Sequence, residues 1–248
     1  MPWSETDPGL SAIAFVLAVI LLVYTALGQP LLGWWLRRWV ERRRQSTPGA
    51  LRRFYLVTVA VQTSWIVLAA LILLTSPQLT ASDLGLRIPH AWLPIAAGAL
   101  GLGAALGAIW LIDWARSRAG ERRSRGESTD PAADLVSVLS PHTRPERRLY
   151  GASLIVAGVA EEVLYRALLP VILVVVGLPW WIAVAAAVVL FALAHVYQGW
   201  WGLVGPGLFG ALLMALYIGT GSLLVPILVH LGVAVWTLAR TGRGRRHR

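Results

Sequence analysis

Cysteine, lysine and asparagine are all missing from this 248-residue chain. Without cysteine there are no disulfides, no thiolate metal sites and no cysteine nucleophile, and the redox compartment is left open. Charge is scarce too. Only 14% of residues are charged and 57% are hydrophobic, whereas soluble domains carry about 25% charged residues. Such a composition points to a polytopic membrane protein.

The charge that exists is lopsided. The net charge is +10, and all 22 basic residues are arginine. They fall mainly in 37–53, 116–148 and 240–248, short segments flanking apolar runs, where positive charge marks the cytoplasmic side. No folded basic domain is present to bind nucleic acid, so that class is set aside. Contact with anionic lipid headgroups is the milder use of these arginines.

The apolar runs lie at roughly 9–36, 54–76, 91–114, 150–177, 180–198, 201–219 and 222–240. A spanning helix needs about 20 such residues. The expectation is an all-α, polytopic transmembrane bundle of about seven (six to eight) helices. The last four are joined by tight turns and therefore antiparallel. Pro170 inside 150–177 predicts a kink or a helix followed by a partial one. Four parts follow: 1–114, N-terminal transmembrane helices; 115–149, a cytoplasmic connector; 150–240, a bundle holding all the buried polar residues; and 241–248, a basic cytoplasmic tail. The acidic N-terminus goes outside and is read as preceding a retained anchor, not a signal peptide. Gly101, Gly103 and Gly107 predict a face for close helix packing. Tryptophans at run ends, such as Trp34, Trp35, Trp180 and Trp181, fit an interfacial belt.

Against that apolar background the polar inventory is small. Glu161, Glu162 and Arg166 sit within one run, and His195 and His230 are the two histidines inside later runs. An ionisable group at membrane depth costs a few kcal/mol or more, so it is a functional-site hypothesis by default. Glu162 and Arg166, four apart, share a helix face and can pair, which lowers the cost of burying both. Glu161 is turned by about 100° and is the freer carboxylate, the better candidate for general-base chemistry. At about 1.5 Å per residue, Glu161 lies about 20 Å from the cytoplasmic edge and His230 about 15 Å, so they and His195 can face one cavity. Taken singly, the pair can also simply pin two helices, and a membrane histidine can simply bond a carbonyl.

Three ordered motifs emerge: Glu161-Glu162-x-x-x-Arg166, Phe191-x-x-x-His195, and His230 after TGSLLVPILV. Over roughly 150–238 the chain resembles the CPBP intramembrane protease family, also called type II CAAX prenyl protease or Abi. An LGLR segment at 84–87 adds a little to the likeness. The resemblance implies an intramembrane endopeptidase acting on a membrane-anchored protein or peptide. Glu161 would activate water, Glu162 and Arg166 would support it, and His195 and His230 would stabilise the oxyanion or bind a metal. Glu161, His195 and His230 also match a His₂Glu zinc set. In that case another group must serve as base. One position departs from the family pattern: four residues after the third-motif histidine, where Asn or Asp is usual, stands Ala234. A missing donor of this kind typically costs about 10²–10³ in rate. Two other readings stay open, a non-catalytic relative acting as membrane scaffold or immunity-type protein, and a proton-coupled transporter. The Arg-only, Ala- and Gly-rich composition points to a bacterial cell membrane. Substrate and oligomeric state are not legible.

Overall fold

The computed structural model describes residues 9–118 and 138–243. The acidic N-terminus, most of the connector and the end of the basic tail lie outside the described residues. Among the described residues there are seven helical rods and no strand. They are α1 (Ala12–Arg43), α2 (Ala50–Thr75), α3 (Leu93–Arg118), α4 (Arg144–Glu162, then Val163–Leu168 and Leu169–Val175), α5 (Trp180–Ala194), α6 (Trp200–Thr220) and α7 (Leu224–Arg243). By length and composition Ala12–Arg43, Ala50–Thr75 and Gly202–Thr220 can each cross a membrane. Leu93–Gly103, Trp180–Ala194 and Leu224–Ala239 are shorter apolar helices. Exposed Ile13, Ile20, Leu27 and Leu31 give α1 an apolar outer surface, suited to lipid rather than water.

Two rods contain a widened, π-helical stretch: Tyr24–Gly28 in α1 and Val163–Leu168 in α4. Each ends two residues before a proline, Pro30 and Pro170. Proline has no N–H to donate, and its ring collides with the carbonyl one turn back; a wider turn relieves the collision. Gln29 N–H accordingly reaches back five residues to the Tyr24 carbonyl, and Leu169 N–H to that of Leu164. The irregularity expected near Pro170 is thus a widened turn, with a short helical piece, Leu169–Val175, following it. The Tyr165 hydroxyl donates to Gln29 Oε1 and ties the two widened turns together.

α4 is the central element. From Glu161 to Leu173 every residue except Val163 is buried, as befits a helix surrounded on all sides. It packs along α2 and α7, while its C-terminal part lies against α5. Its start is fixed by a capping box: Thr143 Oγ1 accepts from Glu146 N–H, and Glu146 Oε2 accepts from the N–H groups of His142 (2.8 Å) and Thr143 (2.9 Å). Partial burial pushes the Glu146 carboxyl up, but these bonds outweigh it and hold the group below its ordinary 4.5. Its stabilisation is complete above that value and is lost as pH falls through the lowered one. The protection factors of the His142 and Thr143 amides, measured against their intrinsic exchange rates, should fall on acidification in the wild type. In Glu146→Gln that pH dependence should be absent.

The segment between α2 and α3 folds back on the α6–α7 turn. Leu79 and Leu84 are buried. Leu223 N–H donates to the Gly85 carbonyl (2.7 Å), Arg87 Nε to that of Gly221 (2.9 Å), and Ser222 Oγ to that of Arg87 (2.5 Å). Gly85 holds φ +75°, and a Cβ there would meet the Tyr217 ring at 2.7 Å. Gly85→Ala combines left-handed backbone strain with a clash, so about 1–3 kcal/mol of stability should be lost, read as a lower Tm. Among the described residues the expected packing face at Gly101, Gly103 and Gly107 meets no neighbour: a Cβ at any of them would meet nothing within 4 Å. α3 comes close to α6 at Gly98 instead, where a Cβ would strike Leu216 at 2.5 Å.

Candidate active site

The buried charges sit at the middle of α4, Glu161 and Glu162 just before its widened turn and Arg166 within it. Glu162 and Arg166 are 0% and 1% exposed. Glu162 Oε2 lies 3.1 Å from Arg166 Nε, an ion pair whose two atoms are not aligned as a hydrogen bond. Arg166 completes its surroundings with the Gly210 carbonyl, 3.4 Å from Nη2, and the Phe191 ring, 4.2 Å from its Cζ. Gly210 permits this approach, since a Cβ there would strike Phe191 at 2.5 Å.

The other oxygen of Glu162 has a second task. Oε1 accepts from His230 Nδ1 at 2.7 Å, joining α4 to α7. A carboxylate cannot donate, so Nδ1 carries the proton and Nε2 is the nitrogen left for other partners. His195 is fixed by different means to the same end. The 180–198 run does not stay helical through this histidine: α5 ends at Ala194, His195 is its C-cap, and Val196–Gln198 form one 3₁₀ turn. Gly199 at φ +84° and ψ −167° then turns the chain into α6. His195 Nδ1 donates to the Phe191 carbonyl at 2.9 Å, satisfying one of the acceptors a helix end leaves open. Its Nε2 is again the free nitrogen.

Glu161, His195 and His230 line one cavity of about 380 Å³, walled by α2, α4, α7 and the 196–198 turn. The cavity reaches Leu139 and Ser140 near the start of α4, the arginine-rich end of the bundle. Glu162 and Arg166 stand behind this wall. Glu161 is 8% exposed and makes no hydrogen bond or ion pair among the described residues. Ala234, also on the wall, presents only a methyl group. A narrower apolar slot of about 100 Å³ between α1 and α2 shares Glu161, His195 and Tyr197 with the cavity.

Among the described residues no three His, Cys, Asp or Glu side chains are grouped so as to hold a metal ion. Glu161, His195 and His230 share one cavity wall.

Several residues outside the three motifs belong to the site. Gln62 in α2 is 6% exposed and lines both the cavity and the slot, so the buried polar residues are not confined to the C-terminal part. The reason is packing: α2 lies along α4 and supplies one wall. A lone amide inside a 26-residue apolar helix was the available signal, by the same cost argument that singled out the glutamates. Arg37 in α1 donates from Nη1 to the Tyr197 carbonyl and from Nε to Glu41, holding the turn that follows His195. Gln198 Nε2 donates to the Tyr197 hydroxyl at 3.1 Å.

Residues 148–236 match the family model of type II CAAX prenyl endopeptidase Rce1-like proteins. This stretch is an Rce1-like domain. The match runs from the first turns of α4 into α7 and takes in all three motifs; α1, α2 and α3 lie outside it. Comparison with curated proteins and with solved structures gives no match. The match covers little more than a third of the chain and is a similarity, at family level, to CAAX-type intramembrane endopeptidases; the apolar helices are those of an integral membrane protein.

Proposed function

We propose that the chain hydrolyses a peptide bond of a membrane-anchored protein or peptide, with Glu161 as the base that activates water. The supporting observation is the disposition of the two carboxylates: Glu162 is ion-paired with Arg166 and hydrogen-bonded to His230, while Glu161, at the cavity wall, makes neither kind of contact among the described residues. An unpaired carboxylate in that position is free to take a proton from a water beside it.

The steps balance as follows. Water oxygen attacks the peptide carbonyl carbon as its proton passes to Glu161. The C=O electron pair moves to oxygen, and the oxyanion is met by Nε2–H of His230 in its doubly protonated form, whose charge Glu162 offsets across the 2.7 Å bond. Collapse breaks the C–N bond, and the leaving nitrogen takes the proton held by Glu161. An acid and an amine result. Glu162 and Arg166 keep α4 and α7 in register. The Rce1-like match favours a CAAX-type substrate, presented from the arginine-rich, cytoplasmic end. The bilayer supplies the second dimension of encounter.

The methyl group of Ala234 on the cavity wall supports a second reading, a non-catalytic relative acting as a membrane scaffold. The two are separated by mapping new N-termini in membrane proteins from cells producing wild type or Glu161→Gln. The peptidase reading expects cleavage products only with wild type. A phenotype that survives replacement of Glu161, His195 and His230 together, with no such products, establishes the scaffold.

A further inference from the structure

Gln62 is the polar side chain that neither the fold nor the three motifs account for. It lies in α2, outside the Rce1-like match, between Val61 and Trp65. It is 94% buried by its 6% exposure, and among the described residues Oε1 has no hydrogen-bond partner. Buried polar groups are almost always paired, and an orphaned one is a net cost to folding. The slot around Gln62 carries Gln29, Thr58, Glu161 and His195 beside its apolar lining, but none of them is hydrogen-bonded to Oε1. Yet the same side chain borders the cavity that holds Glu161 and His195.

A primary amide carries one acceptor with two lone pairs and two donors. That set is complementary to a peptide main chain, which offers an N–H and a C=O a few ångströms apart. We propose that Gln62 binds the substrate main chain beside the scissile bond, accepting from a substrate N–H at Oε1 and donating to a substrate carbonyl from Nε2. The ligand class is an extended peptide segment, read by backbone and not by side chain. Gln62 therefore leaves an unmet acceptor in the free protein that substrate fills. It also supplies amide donors in a cavity where Ala234 supplies none. This rests on the peptidase reading and adds a substrate-binding residue to it from a helix that the family match does not cover.

The test uses the full-length protein in lipid nanodiscs and a fluorogenic peptide whose farnesylated cysteine is followed by three residues. Wild type, Gln62→Leu and Glu161→Gln are compared for kcat, KM and Tm. Leucine fills similar space without polar atoms, so Gln62→Leu should keep or raise Tm. It should lower kcat/KM by about 10- to 100-fold, mostly through KM, as expected for hydrogen bonds to substrate lost from a binding site. A kcat/KM within about twofold of wild type overturns the proposal, and so does a Tm below wild type, which marks Gln62 as structural. If the wild type itself leaves the peptide intact, the peptidase reading fails first and this inference falls with it. Wild-type cleavage matched by Gln62→Leu removes this inference alone.

Discussion

Glu162→Ala should leave little folded protein. Two groups depend on this one carboxylate: Arg166, 1% exposed at 3.1 Å, and His230, hydrogen-bonded at 2.7 Å. Removing one partner of a buried ion pair costs about 3–5 kcal/mol, because the other charge stays buried without compensation. Total stabilities are about 5–15 kcal/mol, so the loss takes much of the margin. The expectation is a sharply lower Tm and poor recovery from membranes. Glu162→Gln keeps the volume and the His230 contact, and should be milder. The double variant Glu162→Leu with Arg166→Met removes both charges, so it should be more stable than Glu162→Ala alone. If Glu162→Ala melts like wild type, the bracing role is wrong.

Glu161→Gln should have the opposite profile, intact in fold and silent in catalysis. The side chain makes no ion pair among the described residues, borders open cavity and keeps its shape in the exchange, so Tm should stay near the wild-type value. Glutamine cannot take a proton from water at neutral pH. General-base assistance is worth about 10²–10⁴ in rate, and cleavage should fall by at least the lower part of that range, through kcat and not KM. The contrast between two neighbours in sequence is the point: one glutamate holds the bundle, the other holds only the reaction.

Much of this contrast was legible from residue spacing. An i,i+4 offset put Glu162 with Arg166, and the 100° step set Glu161 apart, because both follow from helix geometry alone. What spacing could not show is contact between helices distant in sequence. The hydrogen bond from His230 to Glu162 depends on how α7 packs along α4, and it changes the function of Glu162 from a partner of arginine to an orienting group for histidine. His195 looked like an interior helical residue because the apolar run continues past it. Its role as a C-cap depends on Gly199 adopting a positive φ, which hydropathy does not register. Pro170 was legible as the place of a local irregularity, and the chain meets it with a widened turn just before the proline. Gln62 and Arg37 were passed over for a different reason: each stands far from the motifs in sequence, and only the packing of α1 and α2 against the C-terminal bundle brings them to the site. Glycine spacing at 101–107 misled because a small-residue face is necessary for close approach but does not create it.

The most direct measurement is the initial rate of cleavage of the farnesylated peptide by purified wild type and Glu161→Gln, side by side in the same nanodiscs. A wild-type rate that falls by about 10² or more in the variant, at unchanged KM and Tm, is the predicted result. Equal rates in the two proteins contradict the assignment of Glu161 as the base.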